Sequence, residues 1–381
     1  MRLGSLLAVV VVAGAAGAPA SARGDETHAE LAGALGVGAF GARPQSTFDL
    51  GVDLARGELA VGLGARLRLV AGEGAREEEW DEPSELVRIL RHASYRGERV
   101  AVAVGPLAGV TLGHGAVVAG HTTGLHLDHG RSGAHLKADL GPVRAEGVVD
   151  DLVAPALVAV RAAWTPRSSL SVGVLALAAD VAGVALDAEW RPRAWGALTF
   201  DAVLLDGVGS GLHFGGVLAH RGATLALEGR AGSDGYLPGW ISPLWELERV
   251  EFGLEQGMAG VGQRDAAGAG RFGGLSARAQ AAVTGTRLEA ALAWEGRPGA
   301  PDLFTARLAL PAWHDAQAAA WASGFVERGE LVGAFAAELR VRLRSRLFVV
   351  AELGRLYRAG MDASLAPVVT AGVAVGAVLG E

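Results

Sequence analysis

The 381-residue chain has no cysteine, a single lysine (Lys137) and no asparagine, and its aromatic content is only 6%. Without cysteine there is no disulfide framework, no thiolate metal site and no cysteine for a lipid anchor. Arginine carries nearly all the positive charge, in a chain whose formal net charge is -7. That acidic balance, with no basic tract, excludes ordinary nucleic-acid binding. Long apolar runs are also missing beyond the extreme N-terminus, where Gly and charged residues interrupt every candidate for a spanning helix. Glycine is abundant instead: 57 residues, about twice the usual frequency of roughly 7%. Each interior Gly costs a helix about 1 kcal/mol, so long continuous helices are disfavoured.

The one uninterrupted apolar run is an address. Arg2 precedes the stretch Leu6 to Ala16, and Ala20 and Ala22 then form an A-x-A arrangement before Arg23. A basic start, a short apolar core and a small-residue cleavage site are the parts of a secretory signal peptide. Residues 1–22 are therefore expected to be removed on export, leaving one domain over 23–381; loss of Arg2 takes the net charge to -8.

The exported part alternates with period two almost throughout. From Glu58 to Val70, Leu59, Val61, Leu63, Ala65, Leu67 and Leu69 share one face, while Arg66 and Arg68 lie on the other. The pattern recurs around His135 and Lys137, around Asp187 and Glu189, and around Arg278. It is clearest from Phe335 to Arg344, where Arg340, Arg342 and Arg344 oppose Phe335, Leu339 and Val341. Turn signals such as Arg56-Gly57, Asp206-Gly207 and Arg328-Gly329 separate the runs. The runs are about 9 to 13 residues long, whereas soluble strands average about 5 to 6 and tilted strands crossing a bilayer need about 9 to 11. Only a closed barrel lets strands cross where water is absent, because every backbone polar group must be paired. The expected fold is all-β: a transmembrane antiparallel up-and-down β-barrel of about 16–20 strands.

In this whole-chain pattern the sequence resembles the porin-like outer-membrane β-barrel proteins of Gram-negative bacteria. The resemblance implies an outer-membrane location, contact with lipid and lipopolysaccharide, insertion by the outer-membrane assembly machinery, and passage of small polar solutes without cofactor or catalytic residue. Many such barrels end in an aromatic residue that the assembly machinery reads; this chain ends Gly380-Glu381. On this reading Arg66, Arg68, His135, Lys137, Asp187, Glu189, Arg278, Arg340, Arg342 and Arg344 line the channel. The alternatives are a non-conducting barrel with a structural, adhesion or assembly role and, third, a barrel hydrolase. Oligomeric state is left open.

Four local features add detail. The arginine row invites anions, or else pairs with Glu338, Glu327 or Glu352. His126 and His135 are expected to face each other beside Asp128, a geometry able to hold a metal but equally at home on a wet wall; no metal site is assigned. Pro83 to Arg91 reads as a short helix in the loop 83–92. Tyr236, Trp240 and Trp245 are expected at the membrane interface or packed within a loop. No G-x-S-x-G elbow occurs, and the G-x-G-x-x-G at Gly36 to Gly41 lies in a strand-like segment.

Overall fold

The computed structural model describes residues 27–72, 74–75, 87–123, 131–179, 181–233, 236, 238–242, 245, 274–284, 288–297, 300–313, 315–327, 330–344, 346–359 and 365–380. The expected cleavage site lies outside these residues. The strands are β1 (Thr27–Phe40), β2 (Arg43–Arg56), β3 (Leu59–Val70), β4 (Gly74–Ala75), β5 (Leu90–Arg96), β6 (Val100–Gly105) and β7 (Gly133–Asp139). They continue with β8 (Val143–Val149), β9 (Val158–Arg167), β10 (Leu170–Ala178), β11 (Ala182–Arg193), β12 (Gly196–Leu205), β13 (Gly209–His220) and β14 (Ala223–Gly232). The last are β15 (Gly274–Thr284), β16 (Glu289–Arg297), β17 (Ala300–Trp313), β18 (Ala316–Glu327), β19 (Glu330–Arg344), β20 (Leu347–Ala359) and β21 (Leu365–Gly380).

Every long strand pairs antiparallel with its neighbours in sequence, with β3 reaching β5 past the two-residue β4. The circle closes where β1 pairs with β21, from Leu31 opposite Gly380 to Phe40 opposite Thr370. Leaving out β4, twenty strands among the described residues form one up-and-down barrel, the expected architecture and within the expected strand number. Closure removes the edge strands that an open sheet would expose.

Period two sets the two faces. On β3, Leu59, Leu63, Leu67 and Leu69 are exposed, while Arg68 is buried and Val70 is 2% exposed. On β1 and β21, Leu35, Val37, Val373 and Val375 point outward in the same way. This inverts the soluble rule, in which charged side chains are almost never buried unless paired and large apolar ones seek the interior.

The two ends of the barrel differ. At one end the strands are joined by connections of two to four residues, from 57–58 round to 345–346, and both Thr27 and Gly380 lie there. The long connections, 71–89, 106–132, 150–157 and 233–273, all lie at the other end. Apart from β4, the shortest strands are those about the second of these, β5 to β8 having six or seven residues each. The helix expected over 83–92 is reduced, within the described residues, to a 3-10 turn at Val87–Ile89 that runs directly into β5. Leu90 to His92 are taken by the strand because they complete the β3 ladder, Leu63 opposite Leu90 and Gly62 opposite His92.

Candidate functional site

The chain leaving β6 does not stay at the rim. Residues 106–123 fold inward as a hairpin-like excursion, with Val110 and His121 exchanging backbone hydrogen bonds of 2.8 Å and Leu112 N–H donating to Val118 at 3.2 Å. Threonines satisfy three further backbone donors: Leu107 N–H donates to Thr123 Oγ1 at 2.9 Å, Gly109 N–H to Thr122 Oγ1 and Gly120 N–H to Thr111 Oγ1. A second segment joins it from the loop after β14. Ile241 N–H donates to Val117 and Ala119 N–H to Ile241, both at 2.9 Å, and Gly239 N–H donates to Ala116.

Together these segments form a plug. Leu112, Val117, Val118, Ile241 and Trp245, each 2% exposed or less, pack on Leu175 and Leu177 of β10 and Val203 and Leu205 of β12. Among the described residues the barrel thus has a hydrophobic inner core on one side. Tyr236, Trp240 and Trp245 belong to it, at 0%, 6% and 0% exposure. Of the two places expected for them, the structure puts them in loop packing inside the barrel, away from the outer surface.

A belt of charge fixes the plug to the wall. Arg161 on β9 donates to both oxygens of Asp187 on β11, at 2.8 and 2.6 Å, with Glu146 of β8 at 3.8 Å. Next to it, plug residue His114 places Nδ1 3.1 Å from Asp201 of β12 and Nε2 3.9 Å from Glu189 of β11. Burial opposes a charge on this imidazole, but the Asp201 hydrogen bond and the fields of Asp201, Asp187 and Glu189 outweigh it and raise the pKa above its ordinary value. Further round, Tyr236 Oη lies 2.6 Å from His213 Nε2, and His213 Nδ1 lies 2.7 Å from Glu228 Oε1. An imidazole donating from Nδ1 to Glu228 accepts the phenol proton at Nε2. Burial raises the Tyr236 pKa, so the phenol keeps that proton. Arg230 is paired with Glu228 and reaches Glu295 at 3.0 Å. Gly211 is required here, because a Cβ would overlap the Tyr236 ring.

The opposite wall is charged, and no described loop residue forms a plug against it. Arg66 on β3 donates Nε–H to Asp49 at 2.9 Å and both terminal nitrogens to Glu352 of β20 at 3.0 Å, with Arg91 joining Asp49 at 3.3 Å. Arg340 sits 3.8 Å from Glu30 and holds its guanidinium carbon 4.0 Å from the centre of the Phe348 ring. Arg342 follows on the same face, and Arg344 lies beyond a register shift, opposite Leu347 next to the turn; both are exposed and without an ion pair among the described residues.

The alternation therefore places Arg66, Arg68, His135, Lys137, Asp187, Glu189, Arg340 and Arg342 on the inner face, while the register shift after Arg342 takes Arg344 out of that row. His135 is half-buried and Lys137 exposed. Arg278 stands in register with Glu228 and Glu295, and its side chain lies outside the described residues. The structure does not gather these residues into one site. Asp187 and Glu189 lie under the plug; Arg66 and the Arg340 row face across from it. Arg340 has Glu30 as an ion-pair partner; of the expected partners, Glu352 is taken by Arg66, and the Glu327 side chain lies outside the described residues. His126 and Asp128 fall outside the described residues, and among those described no three His, Cys, Asp or Glu side chains converge on a metal position.

Sequence reasoning missed the 106–123 segment. A signal was present: Ala116-Val117-Val118-Ala119 is a consecutive apolar run, and consecutive apolar residues break the period-two pattern of a wall strand.

No protein-family model and no curated protein matches the sequence. Among solved structures the chain is similar to a porin of Rhodopseudomonas blastica, in a triple-mutant form, at 12% identity and a TM-score of 0.28, over 92% of this chain and 100% of that one. It is also similar to two Pseudomonas aeruginosa proteins. These are OccK10 (OpdN), at 9% identity, TM-score 0.37 and 93% and 100% coverage, and OccK3 (OpdO), at 10%, 0.35, 93% and 96%.

Proposed function

We propose that this chain is an outer-membrane, porin-like channel for passive diffusion or uptake of small polar solutes. The observation that carries the reading is the inverted burial of a closed barrel: leucines and valines outside, arginines and carboxylates inside. Lipid is the solvent that accepts such an outer face, and water is the one that accepts such an inner face. Residues 1–22 direct export, and the end with two- to four-residue turns faces the periplasm, as short periplasmic turns and long outer loops do in such barrels. Lipopolysaccharide and phospholipid contact the outer face, and the assembly machinery inserts the chain. Solutes pass along the wall opposite the plug, lined by Arg66, Arg340 and Arg342, with Arg68 buried in that wall, and meet no cofactor or catalytic group.

The refolded mature chain in a planar bilayer is expected to give stepwise ohmic conductance in KCl. A folded barrel that gives none sinks the channel. The second reading, a non-conducting structural barrel, draws on the plug, which fills one side of the lumen.

A further inference from the structure

One four-residue pattern, W-x-P-R, occurs twice, and both copies end a strand at the same rim. Trp164-Thr165-Pro166-Arg167 closes β9 and Trp190-Arg191-Pro192-Arg193 closes β11. The two strands flank β10. With neighbouring strands about 4.8 Å apart, the copies stand about 10 Å from each other at the end with the short turns. Proline has no N–H to give a ladder, and the register shifts beside both copies, between Leu170 and Val172 and between Trp190 and Arg193. The β9–β10 turn, Ser168-Ser169, is fastened to the second copy by Arg191 N–H, which donates to the Ser169 carbonyl at 2.8 Å.

Trp164 and Trp190 share the outward face with Val160, Val172 and Val174, and Trp195 follows in the next turn; all three indoles are at least half exposed. Interfacial aromatics are general in membrane barrels; the charge beside them sets this sector apart. Arg167 and Arg193 are exposed and have no ion pair or hydrogen bond among the described residues. The acidic side chains nearby are already taken: Asp139 lies 3.4 Å from Arg144, and Glu189 is bonded by Arg191. On the far side the β13–β14 turn brings His220 and Arg221, so no free carboxylate is described at these strand ends. The opposite rim differs, for there the outward Trp294 gives its indole N–H to Asp302 at 3.0 Å.

We propose that the paired W-x-P-R elements bind the phosphate of an anionic phospholipid in the leaflet at this rim. Indoles settle at headgroup depth, where the guanidiniums of Arg167 and Arg193 meet phosphate oxygens in the fork geometry that suits them. The valine wall beside the indoles takes the acyl chains. A second copy of this chain docked here about a two-fold axis would set the same arginines against each other, which leaves lipid as the partner. The proposal rests on the membrane-embedded part of the channel reading and is independent of conduction.

The test reconstitutes the refolded mature chain in phosphatidylcholine vesicles containing brominated phosphatidylglycerol, whose bromines quench a tryptophan on contact. Phosphatidylglycerol is expected to associate in preference to phosphatidylcholine, with Arg167 and Arg193 each contributing about fivefold, the scale of one basic residue at an anionic surface. Arg167→Gln and Arg193→Gln together should leave almost no preference. Trp164→Phe with Trp190→Phe should remove most of the quenching specific to phosphatidylglycerol. Arg346→Gln, at a turn whose strand neighbours are Leu343 and Leu347, should leave the preference unchanged. A native barrel without preference overturns the site, as does an Arg346→Gln loss equal to that of Arg193→Gln, which would make the attraction one of diffuse charge. Displacement of the lipid by soluble glycerol 3-phosphate overturns the lipid assignment; failure to displace it supports a membrane-held headgroup. A barrel that prefers phosphatidylglycerol but does not conduct overturns the channel and leaves the lipid site standing. One that conducts without preference overturns the lipid site alone.

Discussion

The inner walls of β8 to β14 and of β17 round to β3 obey the same alternation and carry different chemistry. Under the plug, charged groups are nearly sealed: Asp187, Asp201, His213 and Arg230 are at most 5% exposed, and each has a partner on the barrel wall or on the plug. Across the lumen, the Arg66 and Arg340 side chains remain 24% and 36% exposed and Arg342 and Arg344 are open. Covering converts a wet wall into a core, where an ion pair must be complete because an unpaired buried charge costs several kcal/mol. Where no described plug residue lies against the wall, exposed charges stay available to solutes.

The largest expected effect comes from breaking the covered side. Tyr236→Ala empties a fully buried ring site and strips His213 of its Nε2 partner, at a cost of about 3–5 kcal/mol. It should lower the melting temperature and, by freeing the plug, raise single-channel conductance severalfold. Tyr236→Phe, which removes only the hydroxyl, should cost about 1–3 kcal/mol. An unchanged conductance in a Tyr236→Ala barrel that remains folded would show that the plug does not limit the current.

The side opposite the plug is probed by charge. Alanine at Arg340, Arg342 and Arg344 together should abolish anion preference in reversal-potential measurements, while stability changes little, since exposed ion pairs contribute about 0–1 kcal/mol. Unchanged selectivity would place the deciding charges elsewhere, with Arg66 next to test.

The smallest effect is pH dependence where the two sides meet. His114 has a raised pKa when the plug is seated, so its contribution is complete below the ordinary value of about 6.5 and is lost as pH rises through the raised one. Asp201, Asp187 and Glu189 face it, with Arg161 held behind them by Asp187. The plug should be steadier at pH 6 than at pH 9 by about 1 kcal/mol, the scale of one hydrogen bond, seen as lower current noise. His114→Gln should flatten that profile, and a slope that persists in the variant would move the titration to another group.

Much of the wall was legible from the residues. Leu59 to Leu69 and Phe335 to Leu343 announce their outward face, and with it the inward face of Arg66, Arg68, Arg340 and Arg342, because successive side chains of a strand point to opposite sides. The plug was not legible in the same way. Tyr236 and Trp245 look suited to a membrane interface until His213 and His121 are brought to them, and the short helix expected near 83–92 gives way from Leu90 on, where β3 demands a partner.

What the sequence by itself determined is which side of the wall each residue faces and that the wall had to close, since alternation is a local property and long strands with one apolar face have nowhere else to go. Only the tertiary structure decided which charges meet. Arg66 finds Glu352 across 286 positions and Tyr236 reaches the Ala116 carbonyl across 120. Such pairs depend on barrel closure and on the inward path of one loop, and a side chain's periodicity carries no information about a partner that curvature brings to it.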